Sequence, residues 1–200
     1  VVDIQDEFKA GGKNSITPDL MKEAKRAGFS DLQIATITGR TEKEVRDLRR
    51  SMNIKPVVRQ IDTLGAEYPA QTNYLYLSYH GDESDVEFPQ KNSVLVLGGG
   101  TYRIGSSVEF DWCCVNTATT LRKLGYHTLM LNYNPETVST DYDESDKLFF
   151  DEINLETVFE ICDKTNPLGI VISVGGQVPN NLAMKLQEAG LKILGTTPEN

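Results

Sequence analysis

The apolar positions of this chain change rhythm once. Up to about residue 54 they fall in helical stripes. Thr17 is placed to cap a helix that opens at Pro18, carries Leu20, Met21, Ala24 and Ala27, and ends at Gly28. Ser30 caps a second helix with Ile34, Ala35 and Ile37, which stops at Gly39. Thr41 begins a third, with Glu44 placed for a capping box and Val45, Leu48 and Met52 as its buried face. Residues 1–16 are mixed, contain Gly11-Gly12, and are expected to be irregular.

Residues 55–79 change character. Pro56 and Pro69 punctuate a β-prone stretch that culminates in Tyr74-Leu75-Tyr76-Leu77-Ser78-Tyr79. Residues 80–92 are polar and acidic and form the best boundary in the chain. From Ser93 onward short apolar runs alternate with helical segments. Strands are expected at 94–97, 127–132, 148–150, 169–174 and 191–194, and helices at 106–124, 155–164 and 179–189. That alternation predicts an α/β fold: a parallel, doubly wound sheet with right-handed crossovers, preceded by a small helical domain. The expected limits are 1–56 for the helical part, 57–92 for a β-prone connector and acidic linker, and 93–200 for the α/β domain.

Composition narrows the function classes. The 200 residues suggest one or two domains, and 39% hydrophobic with 24% charged residues is ordinary for a globular chain. A net charge of −9 argues against a nucleic-acid or anionic-membrane surface. No apolar run approaches membrane-spanning length, and no signal-peptide pattern opens the chain. Of the three cysteines, Cys113 and Cys114 are adjacent and Cys162 stands apart. Neighbouring cysteines rarely pair, so reduced, small buried residues in an intracellular protein are expected.

The candidate chemistry sits at strand ends. Val94-Leu95-Val96-Leu97 runs into Gly98, Gly99 and Gly100, then a loop with Arg103 and Gly105, then a helix with Glu109 and Asp111. This is the strand, glycine turn and helix of a nucleotide-type sheet, yet it fails both phosphate signatures. A dinucleotide fingerprint needs Gly where Arg103 stands, and a P-loop needs Lys after its last glycine, where Ser106 follows Gly105. A second strand exit reads Asn132-Tyr133-Asn134-Pro135-Glu136, with Asn132 where a dinucleotide enzyme holds its ribose with an acid. A third reads Gly175-Gly176-Gln177. Each glycine turn equally suits a tight strand-to-helix turn with nothing bound. Arg103 suits a small planar anion, because its fork matches a carboxylate bidentately; the bland alternative is a surface ion pair with Asp111 or Glu136. Glu109 and Asp111 are two apart on a helix and point to different faces, so they form no acid/base dyad; Asp111 is expected to bind backbone or a neighbouring Arg. His80 and His127 lack partners at ligand spacing, so no metal site is assigned. No nucleophile triad is supported.

RIGSSVEFDWC, NYNPETVSTDYD, KLFFDEI and SVGGQVPNNLA, in this order, resemble the large synthetase component of carbamoyl-phosphate synthase. More narrowly they are similar to the start of its second, carbamate-phosphorylating half. Residues 17–79 are similar to the tail of the family's helical oligomerisation domain and its exit, and QIDTLGAEYPAQTNYLY is closer to eukaryotic members. The resemblance implies a Rossmann-like pre-ATP-grasp domain in an ATP-dependent ligase. That enzyme makes carbamoyl phosphate from bicarbonate, ammonia or glutamine, and two ATP, for pyrimidine, arginine or urea synthesis. It implies that Arg103, Glu109 and Glu136 line the passage between the two active sites, and that no catalytic residue lies in this segment. ATP and Mg would bind mainly outside it, and the segment alone would be an inactive fragment. Implied partners are an ATP-grasp domain following residue 200, the first synthetase half, a glutamine amidotransferase domain or subunit, and further copies in a homo-oligomer, with neither nucleic acid nor membrane. An intracellular location is expected, the cytoplasm first, with the mitochondrion as the alternative.

Two other readings stand beside it. One is a stand-alone nucleotide- or metabolite-binding α/β domain. The other is a helix-turn-helix DNA-binding protein, since residues 30–52 place Lys43, Arg46, Arg49 and Arg50 on the helix after a Gly turn, among Glu42, Glu44 and Asp47.

Overall fold

A computed structural model describes residues 1–88, 91–100 and 108–196. The chain divides into two compact units, Val1–Val57 with Ser78–Ser84, and Val58–Leu77 with Asp85–Asn200.

The first unit holds α1 (Val2–Gly11), α2 (Pro18–Arg26), α3 (Asp31–Thr38) and α4 (Glu42–Ser51). Its caps follow the sequence. Thr17 Oγ1 accepts from Leu20 N at 3.3 Å, and both Ser30/Gln33 and Thr41/Glu44 close capping boxes. The backbone and hydroxyl hydrogen bonds from Thr41 hold the Glu44 carboxyl below its usual range. Gly39 ends α3 in the left-handed conformation. The expectation of irregular structure over 1–16 is overturned by α1. Ile4 and Phe8 are one helical turn apart and bury together against Phe29, which meets Phe8 edge-on at 6.4 Å. That packing outweighs the paired glycines, which only close the helix. Ala27 is exposed at the cap of α2, and Leu48 and Met52 are half-buried.

In place of an apolar residue, α4 buries Arg49. Asp31 and Arg49 are both 0% exposed. The guanidinium forks onto the carboxylate, Nε to Oδ1 at 3.0 Å and Nη2 to Oδ2 at 2.9 Å, while Nη1 donates to the Ile54 carbonyl at 2.8 Å. Lys25 Nζ adds a 3.1 Å bond to Asp31 Oδ1. The Tyr79 ring lies 4.9 Å from Lys25 Nζ and 5.5 Å from the Arg49 guanidinium carbon. Arg49, one of the four cations that made a DNA-reading helix conceivable, thus faces the interior of its own unit.

The second unit is built on a seven-stranded sheet in the order β1-β2-β5-β4-β3-β6-β7. The strands are β1 (Val57–Gln60), β2 (Tyr74–Ser78), β3 (Ser93–Leu97), β4 (His127–Asn132), β5 (Lys147–Phe150), β6 (Ile170–Val171) and β7 (Ile193–Leu194). The pairs β2–β5, β5–β4, β4–β3, β3–β6 and β6–β7 are parallel. All five β3 residues are buried, as a central parallel strand covered on both faces requires. Alternation along it separates two cores. Leu95 and Leu97 join Leu129, Leu131 and Phe149 under α6 (Leu155–Thr165) and α8 (Ala183–Glu188). Val96 joins Met130 and Leu148 under Cys114 and Ala118 of α5 (Glu109–Lys123). The helix expected over 179–189 is instead broken into α7 (Gln177–Asn180) and α8. The strands expected at 169–174 and 191–194 shorten to their two paired residues each. Beyond Val171 the backbone turns, and Gly175 N bonds back to Ile172 O at 3.2 Å.

At the carboxyl end of β5, Asp151 extends the β2–β5 junction with its side chain. Oδ2 accepts from Leu77 N at 2.9 Å and Oδ1 from Glu152 N at 3.1 Å. Burial nevertheless pushes this carboxyl up from 3.8 to about 6, with Glu152 and Glu156 adding repulsion. A raised carboxyl binds its proton more tightly folded than unfolded. Its contribution to stability is therefore complete below the ordinary value and lost as pH rises through about 6. Asp151→Asn keeps a carbonyl oxygen for Leu77 N–H but cannot ionise. Relative to wild type, urea titrations from pH 4 to 7 should show the variant gaining about 2–3 kcal/mol over this interval. Parallel pH profiles would mean that the carboxyl titrates normally.

Candidate functional site

The chain leaves β3 toward β4 on one side, whereas β6, on the other side of β3, leads away to β7. The carboxyl ends of β3 and β6 therefore flank the point where the winding reverses, the place where open α/β sheets carry their sites. Gly98-Gly99-Gly100 and Gly175-Gly176-Gln177 meet here. A Cβ on Gly175 would lie well inside contact distance of the Leu97 and Gly98 carbonyl oxygens. One on Gly98 would fall 2.9 Å from Asn132 Nδ2 and 3.1 Å from the Leu131 carbonyl oxygen. A Cβ on Gly176, which sits at φ +80°, would lie 3.0 Å from the Phe110 ring, and one on Gly100 would lie 3.1 Å from Val178. Gly98 N donates to Leu131 O at 2.8 Å. Among the described residues, then, Gly98, Gly100, Gly175 and Gly176 let neighbouring backbone and side chains approach where a side chain would collide, while Gly99 faces open space. Gln177 is exposed at the start of α7.

The second strand exit is a braced loop. Asn132 and Asn134 are buried. Asn132 Oδ1 accepts from Asn134 N at 2.9 Å, and Asn134 Oδ1 from Glu136 N at 2.9 Å, two Asx turns in series. Asn132 Nδ2 donates to Ser139 Oγ at 2.9 Å, so this amide serves the loop rather than a ribose. A 3₁₀ turn at Val138–Thr140 follows. Asp111 accepts from the amides of Val138 and Ser139, at 2.9 Å and 3.2 Å, and thus binds backbone as expected. Glu109 and Glu136 are exposed, each two residues from one end of this tie. Arg103 and Gly105 lie outside the described residues.

Sequence reasoning missed the residues that fill the glycine seam. Phe110 and Val178 look like ordinary apolar positions until the glycines they oppose are known. It also missed the Cys114 thiol, which donates to the Val174 carbonyl at 3.3 Å and links α5 to the β6 exit. Burial pushes that thiol up to about 12, so it is no nucleophile. Cys162 is buried and Cys113 half-buried, and none of the three cysteines forms a disulfide. Among the described residues no group of three or more His, Cys, Asp or Glu side chains is placed to hold a metal ion. No helix among them is long and apolar enough to cross a membrane.

Comparison with known proteins gives this arrangement its relatives. Residues 90–200 match the family described as carbamoyl phosphate synthase preATP-grasp domain. Residues 1–53 match the carbamoyl-phosphate synthetase large chain oligomerisation domain. The chain is 51% identical over 199 residues to the carbamoyl phosphate synthase arginine-specific large chain of Cutaneotrichosporon cutaneum, covering 100% of this chain and 17% of that protein. It is 59% identical over 182 residues to the multifunctional protein CAD of Squalus acanthias, covering 91% of this chain and 8% of that one. It is 52% identical over 198 residues to the mitochondrial carbamoyl-phosphate synthase [ammonia] of Homo sapiens, covering 99% and 13%. The chain thus spans between 8% and 17% of the length of these relatives.

Proposed function

This chain belongs to the carbamoyl-phosphate synthase large-chain family, and from that premise we propose that it works as part of an enzyme making carbamoyl phosphate from bicarbonate, ammonia or glutamine, and two ATP. Its share is one wall of the passage along which carbamate travels, together with scaffolding for the second ATP-grasp site. The observation that carries this reading is the position of Glu109 and Glu136. Both are exposed on segments at the carboxyl edge of the sheet that one carboxylate, Asp111, ties together. ATP and Mg belong in this reading to another part of the enzyme, an ATP-grasp domain that follows this one, since Ser106 rather than a P-loop Lys follows Gly105. The first synthetase half, a glutamine amidotransferase and further copies of the chain are the remaining partners of this reading. The helical unit contributes to oligomerisation.

The chemistry asks for enclosure. Carbamate is short-lived in neutral water, so an enzyme that forms it at one site and phosphorylates it at another must keep it from bulk solvent. Arg103 supplies a planar fork that matches the carbamate carboxylate. Glu109 and Glu136 limit how tightly the anion is held, because a passage must release what it binds.

The test is made in the complete enzyme with Arg103→Ala and Glu136→Ala. Overall synthesis should fall by about tenfold or more. ATP formation from added carbamoyl phosphate and ADP, which needs only the second site, should fall much less. Equal loss of both reactions would sink the passage assignment and indicate local unfolding.

A further inference from the structure

Resting on the passage reading above, we infer that Asp111 is a positioning residue that fixes the distance between Glu109 and Glu136. Asp111 occupies the first turn of α5, two residues beyond Glu109. Its Oδ2 accepts from Val138 N at 2.9 Å and from Ser139 N at 3.3 Å, and Oδ1 accepts from Ser139 N at 3.2 Å. These are the opening amides of the 3₁₀ turn at Val138–Thr140, which have no partner within their own turn. The carboxylate of one helix thus caps the helical turn of a neighbouring loop. Charge-assisted bonds to two successive amides define both a distance and an orientation, which one neutral bond does not.

The loop it grips is stiff, so the grip reaches Glu136. The Asx turns of Asn132 and Asn134 set the backbone from the end of β4 to Glu136 N. Thr140 Oγ1 donates to Thr137 O at 2.6 Å, and Asp141 N to Val138 O at 2.9 Å. Ser139 is fully buried and Thr140 nearly so. On the other side Asp111 belongs to the same first helical turn of α5 as Glu109. Asp111 therefore joins two rigid pieces, each carrying one acidic residue of the passage wall. Its carboxylate is spent on backbone and has no need to meet carbamate.

The experiment uses the complete enzyme carrying Asp111→Asn, beside Glu136→Ala. The amide keeps one acceptor and sets an NH2 group against a backbone N–H, so the loop is expected to shift without unfolding. The readout is ATP hydrolysed per carbamoyl phosphate formed, together with the melting temperature. Asp111→Asn should raise that ratio several-fold, because carbamate escapes between the sites, with little change in melting temperature. In the 200-residue chain, hydrogen exchange at the Val138 and Ser139 amides should accelerate while that in the middle of α5 stays as in wild type. A ratio that stays at the wild-type value in Asp111→Asn but rises in Glu136→Ala would overturn the positioning role and leave the passage standing. A ratio unchanged in both variants would remove the passage itself. A parallel fall of every partial reaction and of the melting temperature would reduce Asp111 to a general stabiliser.

Discussion

Asp31→Ala is expected to unfold the helical unit under conditions where the sheet still stands. The substitution removes the carboxylate shared by Lys25 and Arg49, whose side chains are as buried as that of Asp31. Breaking a buried ion pair from one side costs about 3–5 kcal/mol, because the remaining charge stays desolvated without its partner. Small units have little stability to spare, since they bury a smaller share of their surface. Urea unfolding followed by exchange of the amides in α2, α3 and α4 should show the helical transition moving to a much lower midpoint. The sheet transition should stay within about 0.5 kcal/mol of wild type. A second variant makes the physical cause visible. Replacing Lys25, Asp31 and Arg49 together by Met, Leu and Met removes every charge and keeps the volume, and such exchanges are often neutral or stabilising. If the triple variant were as damaged as Asp31→Ala, volume rather than charge would be the cause.

The second large effect is expected at Gly175→Ala. The new methyl group would collide with the carbonyl oxygens of Leu97 and Gly98 and would lie 2.5 Å from Pro179 Cγ. Two of these atoms are backbone of the central strand and its exit, where no side chain can swing away. A loss of about 3 kcal/mol, at the upper end for overpacking, is the expected outcome in thermal or urea unfolding. Gly99 is the matched control, because a Cβ there meets nothing within 4 Å. Gly99→Ala should change stability by about 0.5 kcal/mol or less. If the two variants behaved alike, the seam would be open and the glycines would be free to face a ligand.

The caps, the alternation and the central strands were legible because their signals are local. Ser30 with Gln33 and Thr41 with Glu44 each state a helix start within four residues. The run Val94–Leu97 could only be a buried strand once helices covered both faces. What escaped depends on distant partners. The helix at Val2–Gly11 is fixed by Phe8 meeting Phe29, and Gly11-Gly12 says nothing of that. Arg49 reads as a surface cation until Asp31 is known to stand opposite. At the site, Glu109, Asp111 and Glu136 could be named from strand exits and from resemblance. That Asp111 reaches the Val138 and Ser139 amides follows only from the packing of α5 against the β4 exit.

The helical unit takes one of its parts from far along the chain, since Ser78–Ser84 belongs to it while Val58–Leu77 does not. For a polypeptide made from its amino end this sets a timetable. When Ser51 leaves the ribosome all four helices exist as sequence, but the Tyr79 ring that lies over Lys25 and Arg49 has not been made. At about 5–20 residues per second the unit waits several seconds for its last piece. β2 emerges in the same interval, long before Lys147–Phe150 supplies the strand with which it pairs. An unpaired strand edge and a half-finished helical cluster then coexist, so this stretch of synthesis exposes surface that invites misassembly.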